Sequence, residues 1–478
     1  MITAARMAAV DRNAEAIGVD RRLLMESSAN AVAGAVREHA GVGERVEIIA
    51  GRGNNGGDGF AAARFLSDFD VRVTLVGHPE RITTDIARAN WDALQAAEVP
   101  TTVVHDSTDV DPPAGAVVVD ALLGTGIRGP LREPIRAAVE AINHASGTVI
   151  AVDVPSGLDP DGGPAAEVAV AADAVVTFHD RNPVHADLDA PVTVADIGIP
   201  AAAERFVGPG DVLALAERDP AAHKGDHGRA LVVGGGPYVG APALSAIAAL
   251  RAGCDLVEVA VPAAIADAVA SFHPEFIVRQ LPGDRLEPTH LDLLGDAIEA
   301  ADVLAVGPGL GRDPDTEAAV ADLLAGVDLP TVVDADALRV LPSVDPAGTI
   351  VATPHAGEFA AMGFEAPSDW REAEVAVQEA ARELDATVLL KGRYDVVADP
   401  STVRVNRTGN PGMAVGGTGD VLAGAVASLC CRADPLSAAT VAAWANGRAG
   451  DRLAGAGYGF LASEVADELP HALADPVD

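Results

Sequence analysis

The chain has 478 residues, and its 70 acidic and 33 basic residues give a formal net charge of −37 at neutral pH. Because nucleic-acid binding requires clustered Lys and Arg, this balance disfavours a nucleic-acid partner. Hydrophobic residues make up 49% of the chain, which excludes global disorder, and the length predicts two domains.

Acidic residues occur along the whole chain, and only two of the basic residues are lysines, Lys224 and Lys391. A dense carboxylate surface keeps a protein hydrated in strong salt, which predicts adaptation to the cytoplasm of a halophilic archaeon. The alternative, an interface for a basic partner, would need a local acidic run, and the sequence has none.

The three cysteines, Cys254, Cys430 and Cys431, form no disulfide framework. The N-terminal segment lacks the apolar core of a signal peptide, and charges interrupt every hydrophobic run before about 18 residues. We therefore expect a soluble, cytoplasmic protein with no membrane partner.

Short β-branched runs alternate with helical spacing along the first half, as in VEIIA, VRVTLVG, TTVVH, AVVVD, VIAVDVP and AVVTF. This alternation predicts a parallel sheet covered on both faces, in an α/β domain over residues 1–210. A turn-rich segment follows, and a second alternating series predicts another α/β domain over residues 215–478.

The first glycine motif, GRGNNGGDG at Gly51–Gly59, lies between a predicted strand and a predicted helix. It contains the G-x-G-x-x-G pattern of a dinucleotide-binding turn, although a tight turn without a ligand is the alternative. The next strand ends at Gly77 and His78, without the acidic residue that holds the ribose of a bound cofactor, which weakens the cofactor interpretation.

Two more strands of this half end in carboxylates. Asp120 precedes a second glycine loop, and Asp153 is followed by Ser156 in DVPSGLDPDGG. A single Asp at a strand end is often a helix cap, but strand ends of an open parallel sheet line one crevice. Three such loops together favour a binding site.

GRGNNGGDG, DALLGTG and DVPSGLDPDGG, in this order, resemble the NAD(P)H-hydrate epimerase domain, a three-layer α/β/α sandwich of Rossmann type. The resemblance implies a potassium ion at Asn55, Asp120 and Ser156, and an acid or base at Asp153 or Asp120. It implies substrate contacts at Asn54, Asn55, Gly56, Gly57, Asp58, Gly124, Thr125, Gly126, Ile127, Arg128, Gly129, Pro130 and Asp153. Asn182 stands where the family usually has a lysine before proline, so the role of that lysine is absent or belongs to a neighbour.

The second half contains GNPGMAVGGTGDVLAGAVA, in which Gly416, Gly417 and Gly419 run into a predicted helix near Asp420. Free N–H groups at such a helix start form an anion hole, and a nearby carboxylate can act as a base. This pair suits phosphoryl transfer, whereas a purely structural glycine turn is the alternative.

Further motifs close other strands of this half: VGPGLG at Gly307–Gly311, TPHAGE around His355 and LLKGRYD around Lys391. His355 is either an ordinary loop histidine or part of the crevice. The retention of Lys391 in a chain with so few lysines favours a requirement for a compact ammonium over chance survival.

Together with HKGDHGRALVVGG and RAGCDLVEVA, these motifs resemble the NAD(P)H-hydrate dehydratase domain of the ribokinase-like superfamily. The resemblance implies substrate contacts at Cys254, Gly309, His355 and Asp420, although Cys254 replaces a residue that is usually small. It implies a site for the adenine nucleotide at Lys391, Gly392, Arg393, Tyr394, Asp395 and Gly419.

The combined resemblance predicts a bifunctional repair enzyme acting on NADHX and NADPHX, the hydrated forms of NADH and NADPH. Asp420 would help the C6 hydroxyl attack the terminal phosphate of ADP, with Mg²⁺ on the nucleotide. A ribokinase-like kinase for a small hydroxyl compound and a non-catalytic nucleotide-binding scaffold are the alternatives. We also expect a homo-oligomer.

Overall fold

The computed structural model describes residues 1–124, 129–163 and 166–474. The chain forms two compact units, Met1–Ala201 and Ala202–Asp478. Within the described residues, no helix is both long enough and apolar enough to cross a membrane.

The first unit is built on a parallel sheet of seven strands in the order β3-β2-β1-β4-β5-β6-β7. Its strands are β1 (Arg45–Ala50), β2 (Asp70–Val76), β3 (Thr101–Val104), β4 (Val117–Ala121), β5 (Thr148–Val152), β6 (Ala174–Phe178) and β7 (Val192–Ala195). Its helices are α1 (Ala4–Ala16), α2 (Arg21–His39), α3 (Asn54–Phe65), α4 (Asp85–Ala96) and α5 (Ile135–Asn143).

The central strands of this sheet are buried on both faces, as the Val-rich runs predict. Strands β1 and β4 are neighbours, and the chain leaves β1 toward one edge and β4 toward the other. Such a switch in strand order opens a crevice beyond the carboxyl ends of the strands, which is where Asp120 and the GRGNNGGDG loop lie.

The second unit has a nine-stranded sheet in the order β10-β9-β8-β11-β12-β13-β14-β15-β16. Its strands are β8 (Arg229–Val233), β9 (Leu256–Pro262), β10 (Ile277–Leu281), β11 (Val303–Val306), β12 (Thr331–Val333), β13 (Ile350–Ala352), β14 (Thr387–Leu390), β15 (Asp395–Ala398) and β16 (Val403–Asn406). Only the pairs β14–β15 and β15–β16 are antiparallel.

Helices cover both faces of this second sheet and bury two apolar clusters, one on each side. They are α6 (Ala201–Arg205), α7 (Gly240–Ala252), α8 (Ala263–Phe272), α9 (Gly295–Ala300), α10 (Pro314–Gly326), α11 (Ala356–Ala361), α12 (Trp370–Leu384), α13 (Thr418–Cys430), α14 (Pro435–Ala454) and α15 (Ala462–Ala474). The expected α/β class is therefore confirmed for both units.

The turn-rich segment after the first unit packs on the second sheet. Val207 donates its N–H to the carbonyl of Val405 in β16, and Arg404 forms a buried ion pair with Asp211 at 2.6 Å. The contact boundary after Ala201 therefore lies earlier than the division we predict between residues 210 and 215.

Candidate active sites

The loop before α3 brings the backbone of Gly56 against that of Gly51. A Cβ at Gly56 would lie 2.0 Å from the carbonyl oxygen of Gly51, so only glycine fits this turn. The turn buries Asn55, whose Nδ2 donates to the carbonyl of Leu123 at 2.8 Å. The Oδ1 of Asn55 has no hydrogen-bond partner among the described residues.

Asp120 and Ser156 are buried beside this loop, at the ends of β4 and β5. Ser156 donates to Asp120 through its hydroxyl at 2.7 Å and through its backbone N–H at 2.8 Å. Burial raises the pKa of Asp120 to about 6, against these hydrogen bonds. A buried carboxylate next to an unpaired amide oxygen is a set of ligands that suits a hard cation.

Asp58 and Asp153 form a second group of carboxylates in the first unit. Burial raises the pKa of Asp58 to about 8, with further contributions from Asp153 and Asp11, whereas its hydrogen bond from Ser28 opposes the rise. Burial also raises the pKa of Asp153 to about 6, although Thr177 donates to it at 3.1 Å. These acids therefore hold protons unusually well.

Asp11, in α1, belongs to the same group, because burial raises its pKa to about 6, against the charge of Arg21 and with a further contribution from Asp153. Asp11 was not predicted, because in the sequence it resembles any polar residue of an amphipathic helix. Asp11 lies near Asp58 and Asp153 because of the way α1 packs in the first unit, which the local sequence does not reveal.

The segment that carries Asn182 in place of the family's usual lysine is tied to the same strand ends. Asn182 donates through Nδ2 to the carbonyl of Ile2, and its backbone N–H donates to Nδ1 of His185 at 3.0 Å. The other ring nitrogen of His185 lies 2.8 Å from the carbonyl oxygen of Asp153. Burial lowers the pKa of His185, so a neutral histidine supports the Asp153 backbone.

The second glycine loop is only partly described. Gly124 and Gly129 line a narrow cavity of about 20 Å³ together with Ser156, and Pro130 is exposed. The predicted contacts at Thr125, Gly126, Ile127 and Arg128 lie outside the described residues.

In the second unit, Asp420 lies in the first turn of α13 and lines an open cavity of about 500 Å³. Gly309 and Gly417 line the same cavity, as predicted residues of the glycine loops. Tyr238 and Ala241, at the start of α7, also line it and were missed, because neither residue type carries a chemical signal in sequence.

The pKa of Asp420 is raised to about 7, chiefly by burial and by the nearby carboxylates of Asp334 and Glu358, while Lys391 lowers it. A carboxyl group with this pKa can exchange a proton at neutral pH, as a general base must.

Lys391, the first residue of the KGRYD motif, lies close to the glycine-rich start of α13. Its Nζ lies 2.8 Å from Asp334 Oδ1 and 3.8 Å from Glu358 Oε2. Burial opposes its charge, but these carboxylates raise its pKa overall. Nζ is also 3.3 Å from the point that a Cβ of Gly419 would occupy, so the ammonium faces the helix start beside Asp420.

His355 is the N-terminal cap of α11. Its Nδ1 accepts hydrogen bonds from Gly357 at 3.0 Å and Glu358 at 3.1 Å, while its ring stays largely exposed. A backbone bridge pairs His355 with Lys391. His355 therefore has a structural role at the start of α11, and its Nε2 lies 3.4 Å from Glu358 Oε1.

The rest of the KGRYD motif forms the turn between β14 and β15. Gly392 and Arg393 are exposed, and Tyr394 packs near Trp370. Asp395 accepts from Gly392 N at 3.0 Å and from Asn406 Nδ2 at 3.0 Å, and burial raises its pKa to about 6. Asp395 thus holds the turn from inside, and the nucleotide contacts at Arg393 and Tyr394 stay predictions.

Cys254 does not lie with these residues. It precedes β9, and its backbone N–H donates to Ser428 Oγ at 3.0 Å. Ser428 is eight residues beyond Asp420 in α13, a distance of about 12 Å along a helix. The predicted substrate contact at Cys254 stays a prediction, and the structure places this buried thiol at the far end of α13 from Asp420.

Comparison with known proteins finds a family model for each half of the chain. The family model described as NAD(P)H-hydrate dehydratase matches residues 230–471, and the YjeF-related protein N-terminus matches residues 21–183. A solved ribokinase-like superfamily protein from Enterococcus faecalis V583 is 25% identical, with a TM-score of 0.51, over 56% of this chain and 95% of its own.

Two curated relatives extend over nearly the whole chain. The bifunctional NAD(P)H-hydrate repair enzyme Nnr of Methanothermobacter thermautotrophicus is 44% identical over 98% of this chain and 94% of its own length. The Archaeoglobus fulgidus enzyme of the same name is 43% identical over 99% and 98%. The chain therefore belongs to the family of bifunctional NAD(P)H-hydrate repair enzymes.

Proposed function

We propose that the two units of this repair enzyme act in turn on NADHX and NADPHX. The first unit interconverts the R and S forms at C6 of the hydrated ring. The second unit dehydrates the S form, with ADP as phosphoryl donor and AMP and phosphate as products. The observation that carries the proposal is Asp420, with a pKa near 7, at a glycine-rich helix start beside Lys391.

Asp420 takes the proton of the C6 hydroxyl, whose oxygen attacks the β-phosphorus of ADP while the bond to AMP breaks. The N–H groups at the start of α13 and the ammonium of Lys391 stabilise the charge on the transferred group. The ring nitrogen lone pair then expels phosphate from C6. Loss of a proton from C5 restores the double bond of the reduced nicotinamide.

In the first unit, Asp58 is the proton donor and Asp153 the acceptor, because their raised pKa values leave Asp58 protonated and Asp153 ionised at neutral pH. Asp58 protonates the C6 hydroxyl, and water leaves as the ring nitrogen forms an iminium ion. Water returns to the other face of C6 and gives its proton to Asp153. The reverse reaction exchanges the two roles.

K⁺ would be held by Asn55, Asp120 and Ser156, where the unpaired Oδ1 of Asn55 and the buried carboxylate of Asp120 support it. The ion would supply positive charge to the buried carboxylate. Among the described residues no group of three or more His, Cys, Asp and Glu has the arrangement of a metal site. We therefore assign Mg²⁺ to the phosphates of ADP rather than to a protein cage.

The test is to incubate the full chain with S-NADHX and ADP and to follow the absorbance of reduced nicotinamide. Recovery of NADH with release of AMP supports the proposal, and repeating the assay with ATP identifies the preferred donor. A mixture of R and S hydrates should be consumed completely only if the first unit is active. A phosphorylated product without NADH would assign a kinase instead and overturn the dehydratase.

The extreme acidic charge also supports a cytoplasmic enzyme adapted to strong salt, and we keep the prediction of a homo-oligomer. Sedimentation across a range of KCl concentrations tests both, since a salt-adapted oligomer should dissociate or unfold as salt is removed.

A further inference from the structure

The carboxyl ends of β2 and β3 carry a group of basic side chains that the reaction at C6 does not use. Arg52, in the glycine loop, and His78 and His105, after β2 and β3, are all exposed. The rings of His78 and His105 lie 4.1 Å apart between centroids. Gly77 N donates to the carbonyl of Val104 at 2.8 Å, which holds the two strand ends together.

Arg52 is positioned toward this group by the local backbone. Thr83 donates to the carbonyl of Arg52 through its N–H at 2.9 Å and through its hydroxyl at 3.1 Å. The Arg52 side chain crosses Gly77, since a Cβ at Gly77 would lie 2.8 Å from Arg52 Cδ and 3.0 Å from Nε. Gly77 has a φ of +119°, a conformation that favours glycine, and its lack of a Cβ leaves room for the Arg52 side chain.

No carboxylate pairs with Arg52 within the described parts of the chain. The nearest acid in sequence to His105, Asp106, turns its Oδ1 to the N–H and hydroxyl of Thr108, both at 2.9 Å. The group thus places a guanidinium beside two imidazoles on a chain of net charge −37.

The place of this group in the fold identifies its ligand. In a parallel dinucleotide-binding sheet, the pyrophosphate lies at the helix after β1, and the adenosine ribose lies at the end of β2. An acid at that point binds the two ribose hydroxyls, whereas an arginine nearby accommodates a 2′-phosphate. This chain has the arginine and lacks the acid.

We infer that Arg52, together with His78 and His105, binds the 2′-phosphate of the hydrated dinucleotide, so that the first unit prefers NADPHX to NADHX. The inference rests on the proposed epimerase function for its substrate. A guanidinium binds phosphate through two parallel hydrogen bonds, and the imidazoles add donors on one side. The nicotinamide end of the substrate then extends toward Asp58 and Asp153.

The test compares kcat/KM for conversion of R-NADPHX and R-NADHX to the S forms in the full chain, without ADP so that no dehydration follows. In Arg52→Ala the ratio of the NADPHX value to the NADHX value should fall about tenfold or more, as expected for losing a charged hydrogen bond. His78→Glu, which places an acid at the end of β2, should lower the ratio further by favouring the ribose diol. Arg72→Ala removes the same charge from the amino-terminal part of β2 and should leave the ratio unchanged.

A second measurement does not depend on the hydrated ring. Adenosine 2′,5′-bisphosphate should inhibit epimerisation more strongly than adenosine 5′-monophosphate, and Arg52→Ala should remove that difference. Equal losses for both substrates would assign Arg52 to the pyrophosphate and overturn the inference, as would an unchanged ratio. Failure of the proposed function is distinct from these results, because the unaltered chain would then epimerise neither hydrate.

Discussion

The carboxylates of the two sites differ in the charges that surround them. In the first unit, the charge of Asp153 raises the pKa of both Asp58 and Asp11, and Asp11 also raises the pKa of Asp58. In the second unit, Asp420 faces two carboxylates and also Lys391, which lowers its pKa. Both lysines of the chain belong to this second unit.

This difference matches what each reaction requires at neutral pH. Epimerisation begins with protonation of a hydroxyl, so a carboxyl group that stays protonated is useful, and a lysine nearby would oppose it. Phosphoryl transfer needs an ionised base and a cation near the transferred group. The ammonium of Lys391 favours the ionised form of Asp420 and is also that cation. We expect the two sites to respond in opposite ways to loss of charge and to pH.

The largest effect is expected at Asp420. Asp420→Asn keeps the shape of the side chain but removes the base, so dehydration should slow by about 100-fold to 10,000-fold. Nucleotide binding should persist, because the N–H groups of α13 and Lys391 remain. Single-turnover rates and ADP titration measure the two quantities.

The matched control is Asp322→Asn on the exposed face of α10, which removes the same charge outside the cavity. Its rate should equal that of the unaltered chain. A near-normal rate in Asp420→Asn would show that Asp420 is not the base. The proposed contrast between the two sites would then be wrong.

Lys391→Met should give the largest loss of stability in the second unit. Asp334 is only 2% exposed, and it loses the ammonium at 2.8 Å, retaining the hydroxyl of Thr353 at 2.7 Å. An unpaired buried charge costs about 3 kcal/mol of unfolding free energy. Urea unfolding followed by tryptophan fluorescence measures this loss.

The control for that loss is the double variant Asp334→Asn with Lys391→Met, in which both charges of this ion pair are removed. It should recover most of the stability without recovering dehydration. If the single variant is as stable as the unaltered chain, Lys391 does not neutralise Asp334 and its charge serves the nucleotide alone.

Much of this architecture is predictable from local sequence, because Val-rich runs bounded by glycine motifs give both parallel sheets. The edge strands β7 and β16 were not predicted, nor was β15, which lies between β14 and β16. Among the site residues, the glycine motifs predicted Asp420 at a helix start and Asn55 between a strand and a helix, and both lie in the first turn of a helix.

Residues without such a motif could not be placed. Asp11 reaches the first site from α1 through tertiary packing alone. Cys254 lies before its strand, at the far end of α13 from Asp420, and its role as a substrate contact stays a prediction. A family motif predicts that a loop is present, whereas the position of each of its side chains depends on packing against other elements.

Potassium provides a smaller effect that is confined to the first site. Replacing KCl with choline chloride at constant ionic strength should destabilise the first unit by about 2 kcal/mol if the ion is far above its dissociation constant. Asn55→Ala, which removes the unpaired Oδ1, should make stability independent of this exchange. Scanning calorimetry measures both, and a second-unit transition that does not move is the internal control. An equal response of the two units would point to a general salt effect instead.

The smallest effect is the difference in pH dependence. Epimerisation should fall about tenfold for each pH unit above 8, because Asp58, with a pKa of about 8, loses the proton that it must donate. The rate of dehydration should fall about tenfold for each pH unit below 7. Asp420, with a pKa of about 7, is then already protonated and cannot accept the proton of the C6 hydroxyl. Rates measured with each hydrate from pH 5 to about 10 show both decreases.

Asp58→Asn should leave slow epimerisation whose rate does not fall at high pH. Asp420→Asn should leave slow dehydration whose rate does not fall at low pH. If both rates fell on the same side of neutral pH, the assignment of Asp58 as a proton donor and Asp420 as a proton acceptor would be wrong. The charges around the two carboxyl groups would then not have given them opposite roles.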